Sequence, residues 1–169
     1  IYKNINIIYH LAAITKVPRT DENLDVKFEK KIFSEAEKVM INLVKYCNKD
    51  ARIIFPSTHL IFENCKKDGF VFNEKSKPLP NLAYAKSKLE GELHLKKNKL
   101  NFTILRLGSV YGYNGDKSRM FNLPNLFALR AKNNFNLKLF SKGVQIKSIV
   151  SSKDVIRAMI YLTKKKFSK

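Results

Sequence analysis

The sequence predicts an α/β fold, a parallel sheet covered by helices, from three observations. Short β-branched apolar runs alternate with stretches of helical periodicity, the runs end in small or turn-forming residues, and the chain is long enough for one buried core. At 169 residues, with 44% hydrophobic and 11% aromatic content, it holds enough apolar material to be globular rather than disordered.

Each element follows in order. Ile5 to Leu11 is a β-branched apolar run closed by Ala12 and Ala13, the pattern of a buried parallel strand entering a tight loop. Phe28 to Cys47 sets Ile32, Phe33, Ala36, Val39, Met40, Leu43 and Val44 at helical spacing and predicts an amphipathic helix. Arg52 to Phe55 reads as a short strand stopped by Pro56, with Ser57 and Thr58 just past its carboxyl end, where open α/β sheets hold ligands. A loop rich in Lys, Asn and Pro, from Asn64 to Pro80, precedes a helix over about Leu82 to Lys97, whose start is favoured by the polar Asn81. Phe102 to Leu107 is the next strand, and Gly108 to Gly115 is a glycine-bearing loop. A helix over Leu123 to Lys132, a strand at Leu137 to Phe140 and a turn at Ser141 to Gly143 follow. The last element, Ser152 to Thr163, reads as a helix with Ser152 as its N-cap and Asp154 in the first turn.

Bulk properties exclude several classes. No apolar run reaches the roughly 18 residues that a membrane-spanning helix needs, and no charged leader with a cleavage site opens the chain. Cys47 and Cys65 stand singly, without the paired spacing of a zinc site or a disulfide framework, so no metal is expected and reduced thiols in a cytoplasm are. The net charge of +19 alone would suggest a polyanion partner. Its lysines are scattered beside Asn and Ile, only Lys164 to Lys166 form a run, and the six arginines are dispersed. A nucleic-acid reader would gather them into a groove, so the charge reads as solvated faces and no nucleic-acid partner is expected.

The candidate chemistry lies at Tyr84 and Lys88, four apart in a predicted helix and therefore on one face, one turn apart. A lysine ammonium beside a phenol stabilises the phenolate, which makes Tyr84 a candidate general base. A Tyr and a Lys at this spacing are also common on helix surfaces, and Ser57-Thr58 after a strand is also an ordinary turn. What sets them apart is an ordered series: His10-Leu11-Ala12-Ala13, Pro56-Ser57-Thr58-His59-Leu60-Ile61-Phe62, Tyr84-Ala-Lys-Ser-Lys88, and Leu105-Arg106-Leu107-Gly108-Ser109-Val110-Tyr111-Gly112.

In that order the series resembles the extended short-chain dehydrogenases/reductases, of the NAD-dependent sugar-nucleotide epimerase and dehydratase type. The likeness extends to Leu137 through Gln145 and to Asp154-Val155. It implies a Rossmann-like fold, here partial, with the sugar-binding part beginning near residues 113–150 of one domain over 1–169. It implies NAD or NADP as cofactor, held by Leu11, Ala12, Ala13, Ser57, Tyr84, Lys88 and Leu107. A sugar nucleotide would meet Thr58, His59, Tyr84 and Ser109, with Thr58, Tyr84 and Lys88 catalytic. Thr58 would hydrogen-bond the substrate hydroxyl, Tyr84 would take its proton as hydride leaves carbon, and Lys88 would bind the nicotinamide ribose and favour the phenolate. The resemblance also implies a homodimer through the helices at 28–47 and 82–97.

Departures narrow the reading. Dehydratases of this kind follow the threonine with Asp-Glu, whereas His59 and Leu60 stand here, which argues against 4,6-dehydration. Ser109 replaces an Asn that touches the sugar nucleotide, and Ala36 and Val39-Met40 replace an Asn and a Gly-Thr. No Gly-x-x-Gly-x-x-Gly turn occurs, and the first residues correspond to about the fourth strand of such a protein. The strand at Ile5 is therefore expected to present an unpaired edge. A second reading follows, a non-catalytic fragment or partner-binding module of the same fold without a complete cofactor site. Among the remaining polar residues, His10 reads as a packed strand-end residue, His94 as surface, and Glu90 and Glu92 as solvating their helix. His59 is open between substrate contact and ordinary loop residue, and Arg106 between a phosphate contact and an ion pair at the strand end.

Overall fold

The computed structural model describes residues 4–14, 26–65, 71–112, 123–139, 143 and 146–165. The chain divides into two compact units, residues 1–106 and 107–169, each described by itself.

The first unit is a three-stranded sheet carrying two helices. Strand β1 (Ile7–Tyr9) leads to helix α1 (Val26–Tyr46), then to strand β2 (Arg52–Thr58), a 3₁₀ turn (His59–Phe62), helix α2 (Ala83–Lys97) and strand β3 (Phe102–Leu107). The strand order is β1-β2-β3, and β1 runs parallel to β2 with Ile7 opposite Arg52 and Tyr9 opposite Ile54. The parallel α/β architecture expected from the sequence is thus present. Its core gathers Met40 of α1, Ile53 and Phe55 of β2, Leu95 of α2, and Leu100 just before β3. The helical spacing read from the sequence does bury Ile32 and Met40 of α1, while Val39 lies at the border of that stripe and stays exposed. Helices α1 and α2 pack against each other over the sheet.

Two boundaries differ from expectation for identifiable reasons. Strand β2 does not stop at Pro56 but runs to Thr58. Its pairing with β1 ends with the Ile54 carbonyl, which accepts the His10 N–H at 3.0 Å, so the missing N–H of Pro56 takes nothing from that ladder. Helix α2 starts one residue later than expected, and its N-cap is Leu82, whose side chain makes no cap bond. The cap comes from a distance: the Glu63 carboxylate accepts the N–H groups of both Asn81 and Leu82, each at 2.5 Å. Lys99, in the left-handed region at φ 51°, then turns the chain after α2 toward β3.

The second unit pairs strand β4 (Ser109–Tyr111) in parallel with β5 (Ile149–Ser151), and adds helices α3 (Leu123–Lys132) and α4 (Ser152–Lys164). Both strands are corrections: residues 109–111 were expected in a loop, and the expected strand at 137–140 is irregular over 137–139, with residue 140 outside the described residues. Ser141 and Lys142 of the expected turn also lie outside them, and the N-cap of α4 is Ser151, not Ser152, its hydroxyl accepting the Lys153 N–H at 3.2 Å. Asn125 of α3 clamps Gly112, accepting from its N–H and donating to its carbonyl, both at 3.2 Å. Gly112 has φ +144° in the space beside Ser152, where a side chain would collide.

Candidate active site

The carboxyl end of β2 lies along one face of α2, and that juxtaposition builds the site. Thr58 closes β2 in extended backbone and caps the 3₁₀ turn, its Oγ1 accepting the Leu60 N–H at 3.2 Å. It is buried, 6% exposed. Tyr84 stands in the first turn of α2, half-buried, and Lys88 follows one turn later. The Lys88 ammonium donates to the Pro56 carbonyl at 2.9 Å, 5.0 Å from the Phe55 ring centre and 5.9 Å from that of Tyr84. Burial lowers the Lys88 pKa from its ordinary 10.5 to about 8, because the low-dielectric surroundings disfavour the charged form.

One turn further along the same face, Glu92 is fully buried and accepts three hydrogen bonds. Ser57 Oγ donates to Glu92 Oε1 at 2.6 Å, while Arg106 of β3 forks onto both oxygens, Nε at 3.1 Å and Nη2 at 2.7 Å. Arg106 Nη1 reaches the Glu74 carbonyl at 3.4 Å, and the guanidinium lies over the Phe62 ring at 5.4 Å. Phe62 in turn stacks on Phe72 at 4.9 Å between ring centres. The sequence reading placed Glu92 on a solvated surface, and the structure buries it. For Arg106 the ion pair is the observed partner.

A cleft of about 370 Å³ opens beside this face, lined by His10, Ala12, Ala13, Glu35, Phe55 and Lys88 among others. His10 packs on Phe55 at 5.2 Å between ring centres, and both of its ring nitrogens are buried without a hydrogen-bond partner. Its pKa is lowered, chiefly by burial and further by the Lys88 charge. The His10 ring therefore borders the cleft as a neutral imidazole, beside the charged side chains of Lys31, Glu35 and Lys88.

The expected residues fall as follows. Ala12, Ala13 and Lys88 line the cleft, Leu11 is 64% exposed and is not part of its lining, and Ser57 turns its hydroxyl to Glu92. His59 is half-buried in the 3₁₀ turn. Leu107 and Ser109 belong to the second unit, where the Ser109 N–H donates to the Ser148 carbonyl at 2.8 Å. Glu92 was the residue missed. The available signal was its place eight residues after Tyr84, which puts Tyr84, Lys88 and Glu92 in one row along α2. Among the described residues no three His, Cys, Asp or Glu side chains gather as a metal site would require, and no helix is long and apolar enough to cross a membrane.

Comparison with known proteins agrees with this fold. A curated relative, a probable low-salt glycan biosynthesis reductase of Haloferax volcanii, is 29% identical over 126 residues, 74% of this chain and 40% of the relative. The fold is similar to a UDP-N-acetylglucosamine 4-epimerase from Methanobrevibacter ruminantium in complex with UDP-N-acetylmuramic acid, with TM-score 0.77 and 22% identity over 96% of this chain and 53% of that one. It is likewise similar to a UDP-glucose 4-epimerase from Thermotoga maritima with UDP-glucose, with TM-score 0.74 and 22% identity over 95% and 52%. A UDP-glucuronic acid 4-epimerase from Bacillus cereus, in complex with UDP-glucuronic acid and NAD, gives TM-score 0.74 and 21% identity over 96% and 51%. The chain thus spans about half the length of these structures and less of the curated relative. Residues 2–169 match the family model itself, and the chain belongs to the NAD dependent epimerase/dehydratase family.

Proposed function

We propose that the protein is an NAD(P)-dependent epimerase or reductase acting on a sugar nucleotide, with Thr58, Tyr84 and Lys88 as its proton-transfer site. The observation that carries this reading is the Lys88 ammonium, pinned by the Pro56 carbonyl beside the Tyr84 ring and facing the cleft. The wall of the cleft suits a nicotinamide dinucleotide: Ala12 and Ala13 leave room, and Lys88 offers donors to a ribose. When bound, such a cofactor supplies the hydride acceptor and donor.

The chain's own residues handle the proton. Thr58 uses an oxygen lone pair on Leu60 N–H, so its hydroxyl proton is left to donate to a substrate oxygen. Tyr84, as phenolate, takes the proton of the substrate hydroxyl, and the neighbouring ammonium favours that form. The curated reductase, of glycan biosynthesis, and the solved epimerases, in complex with UDP-sugars, support the substrate class.

The test is turnover of a panel of UDP-hexoses with NAD⁺ or NADPH by the full-length protein and its Tyr84→Phe variant, alongside calorimetric titration of NAD⁺, NADH and their phosphorylated forms into this chain. Tyr84→Phe should lose at least about 100-fold in kcat, the usual range for a general base, with dinucleotide binding retained. Full turnover by Tyr84→Phe would sink the assignment of the tyrosine.

A further inference from the structure

The described catalytic face has a second half that touches neither the cleft nor the hydroxyl groups expected to meet substrate. Two consecutive residues of β2 are bound by one row of α2 side chains: the Pro56 carbonyl accepts from Lys88, and the Ser57 hydroxyl donates to Glu92. Thr58 is the next residue. β2 has run past its last pairing with β1 at Ile54 while β3 still lies along its other edge, so on the β1 side it is the side chains of α2, at two successive residues, that hold the strand end.

Glu92 also reaches the far side of Thr58. Its carboxylate holds the Arg106 fork, and Arg106 lies over Phe62, the last residue of the 3₁₀ turn that Thr58 caps. Through Arg106 Nη1 to the Glu74 carbonyl and the Phe62–Phe72 stack, the same cluster ties down the segment leading to α2. Thr58 is thereby braced from Ser57 before it and Phe62 after it, and both braces end on one carboxylate. A buried ion pair is by itself a weak source of stability, so the aim of its bonds, rather than their number, is what distinguishes the cluster.

We propose that Glu92 is a positioning residue of the site, acting through Ser57 and Arg106 to hold the Thr58 strand end in register with Tyr84 and Lys88. This rests on the proton-transfer reading above. It assigns no contact with substrate or cofactor to Glu92, Ser57 or Arg106.

The experiment uses lysine labelled with ¹³C at the ε carbon, with the Lys88 resonance identified by its loss in Lys88→Arg. Ser57→Ala removes one brace without changing charge, and Arg106→Lys keeps the charge but loses the fork. In both variants, with unchanged far-ultraviolet circular dichroism, the Lys88 resonance should titrate about one pH unit higher than in the wild type, as water reaches the loosened end. In the full-length protein both should lower kcat about tenfold with KM for the UDP-hexose changed less than twofold. A Lys88 titration unmoved in folded variants, or a loss confined to KM, would overturn the proposal. The resonance arm needs no turnover, so it can fail while Tyr84→Phe still behaves as a base-deficient variant, and it can succeed where Tyr84→Phe does not.

Discussion

Gly91 sits on the face of α2 that presses on β2, and replacing it with alanine tests how rigidly the site's two elements are held. A Cβ at Gly91 would lie 2.6 Å from Phe55 Cζ and 3.3 and 3.4 Å from its Cε2 and Cε1. Carbon atoms prefer about 3.5–4.0 Å, so either the ring or the helix must move. Phe55 is 2% exposed and packed in the core with Met40, Ile53 and Leu95, so moving the ring disturbs those contacts even though its other side borders the cleft. Overpacking of a tight core costs up to about 3 kcal/mol, while exchanging glycine for alanine within a helix returns about 1 kcal/mol. The net expectation for Gly91→Ala is a loss of about 2 kcal/mol, read by urea unfolding. The sign is tested in a Phe55→Leu background. There the ring is gone, and Gly91→Ala should change from a loss to a gain of about 1 kcal/mol, a coupling of about 3 kcal/mol. Equal effects in the two backgrounds, or a gain in the wild type, would refute the contact and with it the claim that α2 and β2 are in tight register.

Two further predictions concern charge and capping. Because folding lowers the Lys88 pKa to about 8, both states carry its proton below that pH and the burial penalty is fully present; between about pH 8 and 10.5 the folded chain holds fewer protons, so stability should rise with pH. Relative to Lys88→Met, the wild type should gain up to about 3 kcal/mol between pH 7 and 10.5 in urea unfolding, and parallel curves for the two proteins would contradict this. Glu63→Ala should cost roughly 1 kcal/mol and speed amide exchange at Leu82, since it removes the acceptor of two N–H groups at the start of α2; unchanged exchange would show that the cap is dispensable.

The sequence made the architecture readable wherever periodicity and burial coincide. Ile32 and Met40 recur at helical spacing on α1, and the β-branched run before Ala12 does form a strand paired with β2, though only over Ile7–Tyr9 and with Ile7 and Tyr9 exposed where the apolar run suggests burial. It also singled out Tyr84 and Lys88, because four-residue spacing on a helix is a local property. Strands β4 and β5 were not legible, since three residues each, Ser-Val-Tyr and Ile-Val-Ser, show no period and are defined only by pairing with each other. Pro56 was read as a stop through its missing N–H, a rule that does not bind where the neighbouring strand has already ended. Glu92 was invisible for a deeper reason. A glutamate in Leu-Glu-Gly-Glu-Leu-His carries no local sign of burial; its partners are 35 residues upstream and 14 downstream, and only the assembled sheet brings them within reach.

Those separations bear on the order in which the molecule assembles. Closing a 35-residue span adds only slowly growing entropy, but a carboxylate that reaches its buried place before Arg106 arrives is left without its cation. Strand β3 is therefore expected to join β2 before α2 seals over both, with the cluster forming on the native side of the folding barrier. Substitutions at Ser57, Glu92 or Arg106 should then quicken unfolding far more than they slow folding, so the lifetime of the native state, more than the speed of reaching it, is set at the same spot that orients Thr58.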